Sequence, residues 1–407
     1  MSALVARSGP LGSPTVNTRA GHFDLVQPVL AGVIAALVGF ASTFTVVLAG
    51  LSAVGANSRQ AESGLFAVCL VMGAVGMWSS WRTRIPISIA WSTPGAALLV
   101  STGTVDGGYA AAIGAFVVAG VLTVVAGLWP MLGRWVAALP APFAQALLAG
   151  VLLPICLSPA RAMVAEPEIM IPVAAAWLLL MRVARRWTVP GVVVAAAIAV
   201  AINAPAGTSV AMSLPSFDWI TPSFDFGTMI GLGVPLFIVT MASQNIAGMA
   251  VLRSFGYQPE FGPLLVTTGA ATAAAAPFGV HGVNLAALSA AMVAGPEAHV
   301  DGERRWIAGC ANGAAYLVLG LFAGVAVGLV SAAPTIVISA VAGLALLPAL
   351  TGALAGAMAD ASMREGAVIV IVVSASGITA GGISGAFWGL AAGLLFHLVQ
   401  RVGALSS

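Results

Sequence analysis

Fourteen apolar stretches, joined by short polar links, leave this chain few ways to fold. They lie at about 27–51, 63–80, 85–103, 109–129, 135–157, 169–184, 188–205, 227–252, 262–276, 279–295, 306–331, 335–357, 365–375 and 382–400. Lipid offers no hydrogen-bond partners, so backbone at membrane depth must satisfy itself. The pattern therefore reads as an all-α polytopic membrane protein. Spanning takes about 20 apolar residues, so stretches such as 279–295 and 365–375 cross only partway. Composition agrees: 7% of the 407 residues are charged, against about 25% in a soluble domain. A net charge of +2 gives no basis for a nucleic-acid partner; the lipid bilayer is the partner. Cys69, Cys156 and Cys310 sit inside apolar runs and read as small core residues, not a disulfide framework.

The arginines orient the segments. All fifteen basic residues are arginine. With the N-terminus cytoplasmic and the chain alternating, Arg7, Arg19, Arg82, Arg84, Arg134, Arg182, Arg185, Arg186, Arg253, Arg304, Arg305, Arg364 and Arg401 fall inside. Only Arg59 and Arg161 fall outside. That asymmetry is what the positive-inside rule demands. Residues 1–26 carry no apolar region ahead of a cleavage site and read as a cytoplasmic tail. A polar stretch at 206–226 reads as an extracytoplasmic linker between a first repeat at 27–205 and a second at 227–400, with 401–407 a cytoplasmic C-terminus. Seven segments per half force the second half to run upside down, giving a 7+7 inverted repeat.

Two runs occupy matching places in the halves: Pro86-Ile-Ser-Ile-Ala-Trp-Ser-Thr93 and Pro277-Phe-Gly-Val-His-Gly-Val-Asn284. Each starts at a proline, is unlike a helix, and meets a residue suited to cap one, Thr93 or Asn284, ahead of an Ala/Leu-rich helix. Irregular backbone at this depth is tolerated only where protein buries it or a cavity adjoins it. The period-2 pattern of Ile85, Ile87, Ile89 and Trp91 predicts a short strand, and two such strands could pair antiparallel. Each would lead into a half-helix, in segments 3 and 10. The helix starts are expected to face each other, each with partial positive charge and spare N–H groups, making a site for a carboxylate.

His281 is the ionisable side chain expected near mid-membrane, and such groups are functional candidates. Gln244 and Asn245 put adjacent amides in the middle of segment 227–252, where each needs a partner. The expected substrate contacts are Ser92, Thr93, Gly95, Gln244, Asn245, His281, Gly282 and Asn284, with His281 also coupling the proton. Phe40, Phe44, Trp91 and Phe278 are candidates to pack on an aromatic ring. No metal or other cofactor is expected.

The run from Pro86 to Gly95, with Ser243-Gln-Asn-Ile-Ala-Gly-Met249 and Phe278-Gly-Val-His-Gly-Val-Asn-Leu285, closely resembles the BenE-type benzoate/proton symporters, over about residues 22–400. That family is similar to nucleobase/ascorbate permeases and SulP-type anion transporters. The resemblance implies a core domain of segments 1–4 and 8–11 moving against a gate domain of segments 5–7 and 12–14. Nucleobase permeases use membrane-embedded glutamates near their substrate; here Gln244 and His281 stand near the matching places, which suits a substrate bringing its own negative charge. The function expected is proton-coupled uptake of benzoate or a similar aromatic carboxylate across the inner membrane. Transport of another anion or a nucleobase is the alternative, and a channel or intramembrane enzyme a remote one. An enzyme would need a nucleophile–base pair or metal cluster, and one mid-membrane histidine supplies neither. The sequence leaves the oligomeric state open, a homodimer among the options.

Overall fold

Each apolar stretch becomes a helix or half-helix in the computed structural model, which describes residues 23–129, 131, 140–203, 215–286, 288–380 and 383–405. The first half runs α1 (Phe23–Ala53), α2 (Ser58–Thr83), strand β1 (Ile89–Trp91), α3 (Thr93–Thr102), α4 (Gly108–Leu128), α5 (Ala141–Cys156), α6 (Ser158–Ala165), α7 (Pro167–Val183) and α8 (Thr188–Asn203). The second runs α9 (Phe226–Ser254), α10 (Phe261–Ala275), β2 (Val283–Leu285), α11 (Leu288–Ala294), α12 (Trp306–Gly320), α13 (Ala323–Ser331) and α14 (Thr335–Ala357). It ends with α15 (Arg364–Ala375), the two-residue strands β3 (Thr379–Ala380) and β4 (Ile383–Ser384), and α16 (Gly385–Leu405). Among the described residues seven helices are long and apolar enough to span alone, or eight when the pair bent by 55° around Leu321 counts as one. The remaining six stretches fold as the shorter helices α3, α7, α8, α11, α15 and α16.

Packing repeats with the period of the halves. Helix α4 packs on α10 and α2 packs on α12, the same contact seven segments apart; α7 on α8 and α15 on α16 form a second such pair. Both long crossings are made at glycines. A Cβ on Gly120 would meet the Ala273 nitrogen at 2.7 Å and the Gly269 carbonyl at 2.9 Å, and one on Gly313 would meet the Gly73 carbonyl at 2.5 Å. Only glycine allows backbones this close, the usual device for helices that cannot gain by expelling water. The contacts sort the molecule into two bodies. Helices α1–α4 with α9–α12 form a core bundle, and α5–α8 with α14–α16 a second bundle, which meets the core where α3 and α9 touch α5 and α1 touches α14.

The edges depart slightly from expectation. Helix α1 begins at Phe23, inside the stretch read as tail, because nothing between Phe23 and Val26 breaks a helix; residues 1–22 lie outside the described residues. Helix α16 runs to Leu405, since no proline or polar run follows Gln400. The linker forms neither helix nor strand over 215–225 and ends at Asp225, whose side chain caps α9 by accepting the Thr228 N–H at 2.8 Å; 206–214 lie outside the described residues. It is held down by Ile220 N–H donating to the Pro277 carbonyl (2.8 Å), Ser223 N–H to Ala110 (3.0 Å) and Asp218 N–H to Ser63 Oγ (2.9 Å).

Candidate functional site

Strands β1 and β2 pair antiparallel, with Ile89 opposite Leu285, Ala90 opposite Asn284 and Trp91 opposite Val283. Backbone bonds extend the ladder at both ends: Ser92 N–H to Gly282 carbonyl (3.1 Å) and Ala286 N–H to Ser88 carbonyl (2.9 Å). Ile87, Ile89, Trp91, Val283 and Leu285 are all buried, so the ladder solves the problem of irregular backbone at depth by pairing inside protein. Gly279 makes the turn into the second strand. Its φ is +95°, and a Cβ there would meet Gly64 Cα and the Tyr109 hydroxyl, both at 2.8 Å.

The first half-helix starts one residue earlier than expected. Ser92, not Thr93, is the cap: its Oγ accepts the Gly95 N–H at 3.0 Å, while Thr93 takes the first helical position and Pro94 follows, where its missing N–H does no harm. The second half corrects the expectation further. Asn284 is not a cap; it lies in mid-ladder, wholly buried, and α11 starts only at Leu288. Residues 283–285 stay extended because Ile89–Trp91 supplies their pairing. In the amide orientation that satisfies both ends, Asn284 donates to the Leu285 carbonyl and accepts from the Ser92 N–H, each at 3.0 Å. Ladder symmetry makes Val283 the equivalent of Ile89, 194 positions on, whereas Pro277 follows Pro86 by 191. The two half-helices thus leave from opposite ends of the ladder, and Thr93 and Asn284 do not face each other as twin caps.

Four of the expected contacts are occupied within the protein: Ser92 and Gly95 in the cap, Gly282 in the ladder, and Asn284 in its bridge. A different set retains free groups. Thr93 and Gln244 are half-buried. Asn245 is buried; its Oδ1 accepts the Leu285 N–H at 3.0 Å, and its Nδ2 has no partner among the described residues. His281 is wholly buried beside the ladder, with Nε2 3.1 Å from the Ser92 carbonyl and Phe116 edge-on at 6.3 Å. A carbonyl only accepts, so Nε2 carries the hydrogen and Nδ1 presents a lone pair; Nδ1 has no partner among the described residues.

Sequence reasoning passed over three supports. Thr240 meets Ser92 Oγ hydroxyl to hydroxyl at 2.6 Å. Thr272 Oγ1 accepts the Val283 N–H at 2.9 Å. Ser88 bonds Ser289 at 2.7 Å and Asn312 Oδ1 at 3.2 Å, tying the start of β1 and helix α11 to α12. A hydroxyl four residues before Gln244 in an apolar run was the available signal for Thr240.

Three of the four aromatic candidates come together. Phe40 stacks on Phe44 (5.4 Å between centroids) and leans on Trp91 (5.8 Å), whose indole N–H donates to Thr43 Oγ1 at 2.9 Å. Phe278 does not join them: it packs on Phe217 at 5.1 Å and Trp219 at 5.2 Å, drawn off by the linker. A cavity of about 50 Å³ opens beside Phe44 and Thr45, walled by Val193, Ala196, Val337 and Val341 from the second bundle. It has room for a few waters.

The sequence profile of the family described as "Benzoate membrane transport protein" matches residues 23–399. The inner membrane protein YdcO of Escherichia coli (strain K12) is 37% identical over 382 residues, 93% of this chain and 97% of that one. The benzoate membrane transport protein of Acinetobacter baylyi is 28% identical over 373 residues, 91% of this chain and 94% of that one. Among solved structures, the transmembrane domain of the cyanobacterial bicarbonate transporter BicA has a TM-score of 0.57 at 15% identity, covering 96% of this chain and 98% of that one. At that identity the likeness shows a shared fold.

Proposed function

The chain belongs to the benzoate membrane transport protein family, and from that premise we propose that it imports benzoate, or a similar aromatic carboxylate, together with a proton. The observation that carries the reading is the buried ladder with a half-helix start at one end and unspent polar atoms along it. The carboxylate sits at the start of α3, near Thr93 and Gln244, where the helix dipole favours an anion. The ring packs on the Phe40, Phe44 and Trp91 cluster, which the core bundle carries. A small-molecule site is ordinarily an apolar pocket with a few placed polar groups, and this one divides that way.

His281 supplies the coupling. Accumulating an anion against an inside-negative potential is unfavourable by about 2.3 kcal/mol per charge per 100 mV. One proton carried with each anion cancels that charge. The free Nδ1 of His281 is where the proton binds, and a nearby carboxylate favours the imidazolium, so each ligand promotes binding of the other. Release into a more alkaline cytoplasm discharges both. The reading places the protein in the inner membrane with both termini cytoplasmic, following the arginine distribution. The test is a competition series in proteoliposomes. Benzoate uptake should be inhibited by substituted benzoates and unaffected by acetate, bicarbonate or uracil; inhibition by bicarbonate or uracil alone would replace the aromatic carboxylate with another substrate class.

A further inference from the structure

Helix α9 holds both ends of the ladder: Thr240 bonds Ser92 at one end, and Asn245 bonds the Leu285 N–H at the other. Ser92 lies beside Gly282, so the two anchor points are three residues apart on β2, roughly 10 Å of strand. Residues five apart in an α-helix rise roughly 7.5 Å, which suits that span, but are rotated roughly 140° from each other. A regular helix that aimed Thr240 at Ser92 would therefore turn Asn245 away.

The chain resolves this with a π turn over Met241–Asn245, closed by the Ile246 N–H on the Met241 carbonyl. Bonding from i to i+5 widens the turn and brings residues five apart nearly onto one side. Both anchors then face the ladder, and Ser243 and Gln244 lie between them, half-buried. With Oδ1 spent on Leu285, Asn245 has its Nδ2 hydrogens to offer, and that nitrogen is buried without a partner among the described residues.

We propose that the π turn Met241–Asn245 is the register device of the transport site, with Thr240 a positioning residue that holds the start of α3 through Ser92, and Asn245 held so that its spare amide hydrogens face the substrate carboxylate. Only the last part rests on the carboxylate reading above. The clamp itself needs no ligand and is tested without one.

Two measurements on the full-length protein in detergent decide the matter. Hydrogen exchange across residues 88–97 reads the clamp directly. Thr240→Val should speed exchange there at least tenfold, Thr240→Ser should leave it unchanged, and insertion of one alanine after Ala242, which sets the two anchors six positions apart and out of register, should speed it further. Should the insertion variant fail to fold, the Val and Ser pair carries the test alone. Equal exchange in the Val variant and the wild type would overturn the positioning role. Calorimetric benzoate binding is the second measurement: Thr240→Val should weaken it about tenfold, with Thr240→Ser within twofold of the wild type. Unchanged binding in Thr240→Val would break the link between clamp and site. Wild-type protein that binds no benzoate, yet shows the expected exchange pattern, would sink the carboxylate reading and its claim on Asn245 while leaving the clamp in place.

Discussion

Replacing Asn284 by alanine separates a scaffold role from a direct one, and the structure sets the size of the effect. The side chain is wholly buried and makes two hydrogen bonds of 3.0 Å, to the Ser92 N–H and the Leu285 carbonyl. Ser92 N–H keeps a second acceptor in the Gly282 carbonyl at 3.1 Å, so its loss is partial. The Leu285 carbonyl loses the Asn284 amide. A buried hydrogen bond contributes about 0.5–1.5 kcal/mol net, and an unsatisfied group costs about 1–3 kcal/mol. Together these give about 1.5–4.5 kcal/mol. Because Asn284 bonds Ser92, which caps α3, the loss should appear twice: as a lower melting temperature without ligand, and, through the roughly 0.5–1.5 kcal/mol carried by the Ser92 bond, as benzoate binding weakened roughly 2- to 12-fold. Paired thermal melts and calorimetric titrations of the wild type and Asn284→Ala read both. A variant that melts like the wild type but binds poorly would restore direct contact with the substrate. One with unchanged melting and unchanged affinity would refute the reasoning altogether.

Further outcomes follow from other parts of the molecule. His281→Gln keeps a donor for the Ser92 carbonyl but cannot titrate, so it should exchange benzoate across vesicles yet fail to accumulate it in a pH gradient; wild-type accumulation would remove His281 from coupling. Gly120→Ala and Gly313→Ala each drive a methyl into the backbone of a partner helix, so both should destabilise by about 1–3 kcal/mol. Gly352→Ala meets nothing within 4 Å among the described residues and should be neutral in the same melts; a reversed order would contradict the repeat packing. The Asp225 carboxyl is held below its ordinary value of 3.8 mainly by the Thr228 N–H that it caps. Its stabilisation is therefore present above that value and lost as pH falls through the lowered one. Asp225→Asn should flatten that part of the acid melting profile, and an unchanged profile would show the cap is not its source.

Much of the architecture was readable because lipid leaves so few choices. Pro86 and the alternation through Ile87, Ile89 and Trp91 announced an extended segment, and membrane depth demanded a partner for it. Pairing with the second strand was then the available solution. Asn284 was misplaced because capping preference is a local property, whereas residues 283–285 are extended by Ile89–Trp91, almost two hundred positions earlier. Phe278 was lost to Phe217 and Trp219 for the same reason: the linker's fold back over Pro277 is a tertiary contact with no local signature. The π turn has no composition of its own. It exists because Thr240 and Asn245 both find partners on the ladder, and only the assembled fold displays that.

The central claim, that a proton travels with an aromatic carboxylate, is tested most directly by radiolabelled benzoate uptake into proteoliposomes holding the purified protein, with the interior more alkaline than the medium. The account predicts accumulation above the level in protein-free vesicles, collapsing when a protonophore dissipates the gradient. Uptake no greater than in protein-free vesicles, or accumulation that persists without the gradient, would contradict it.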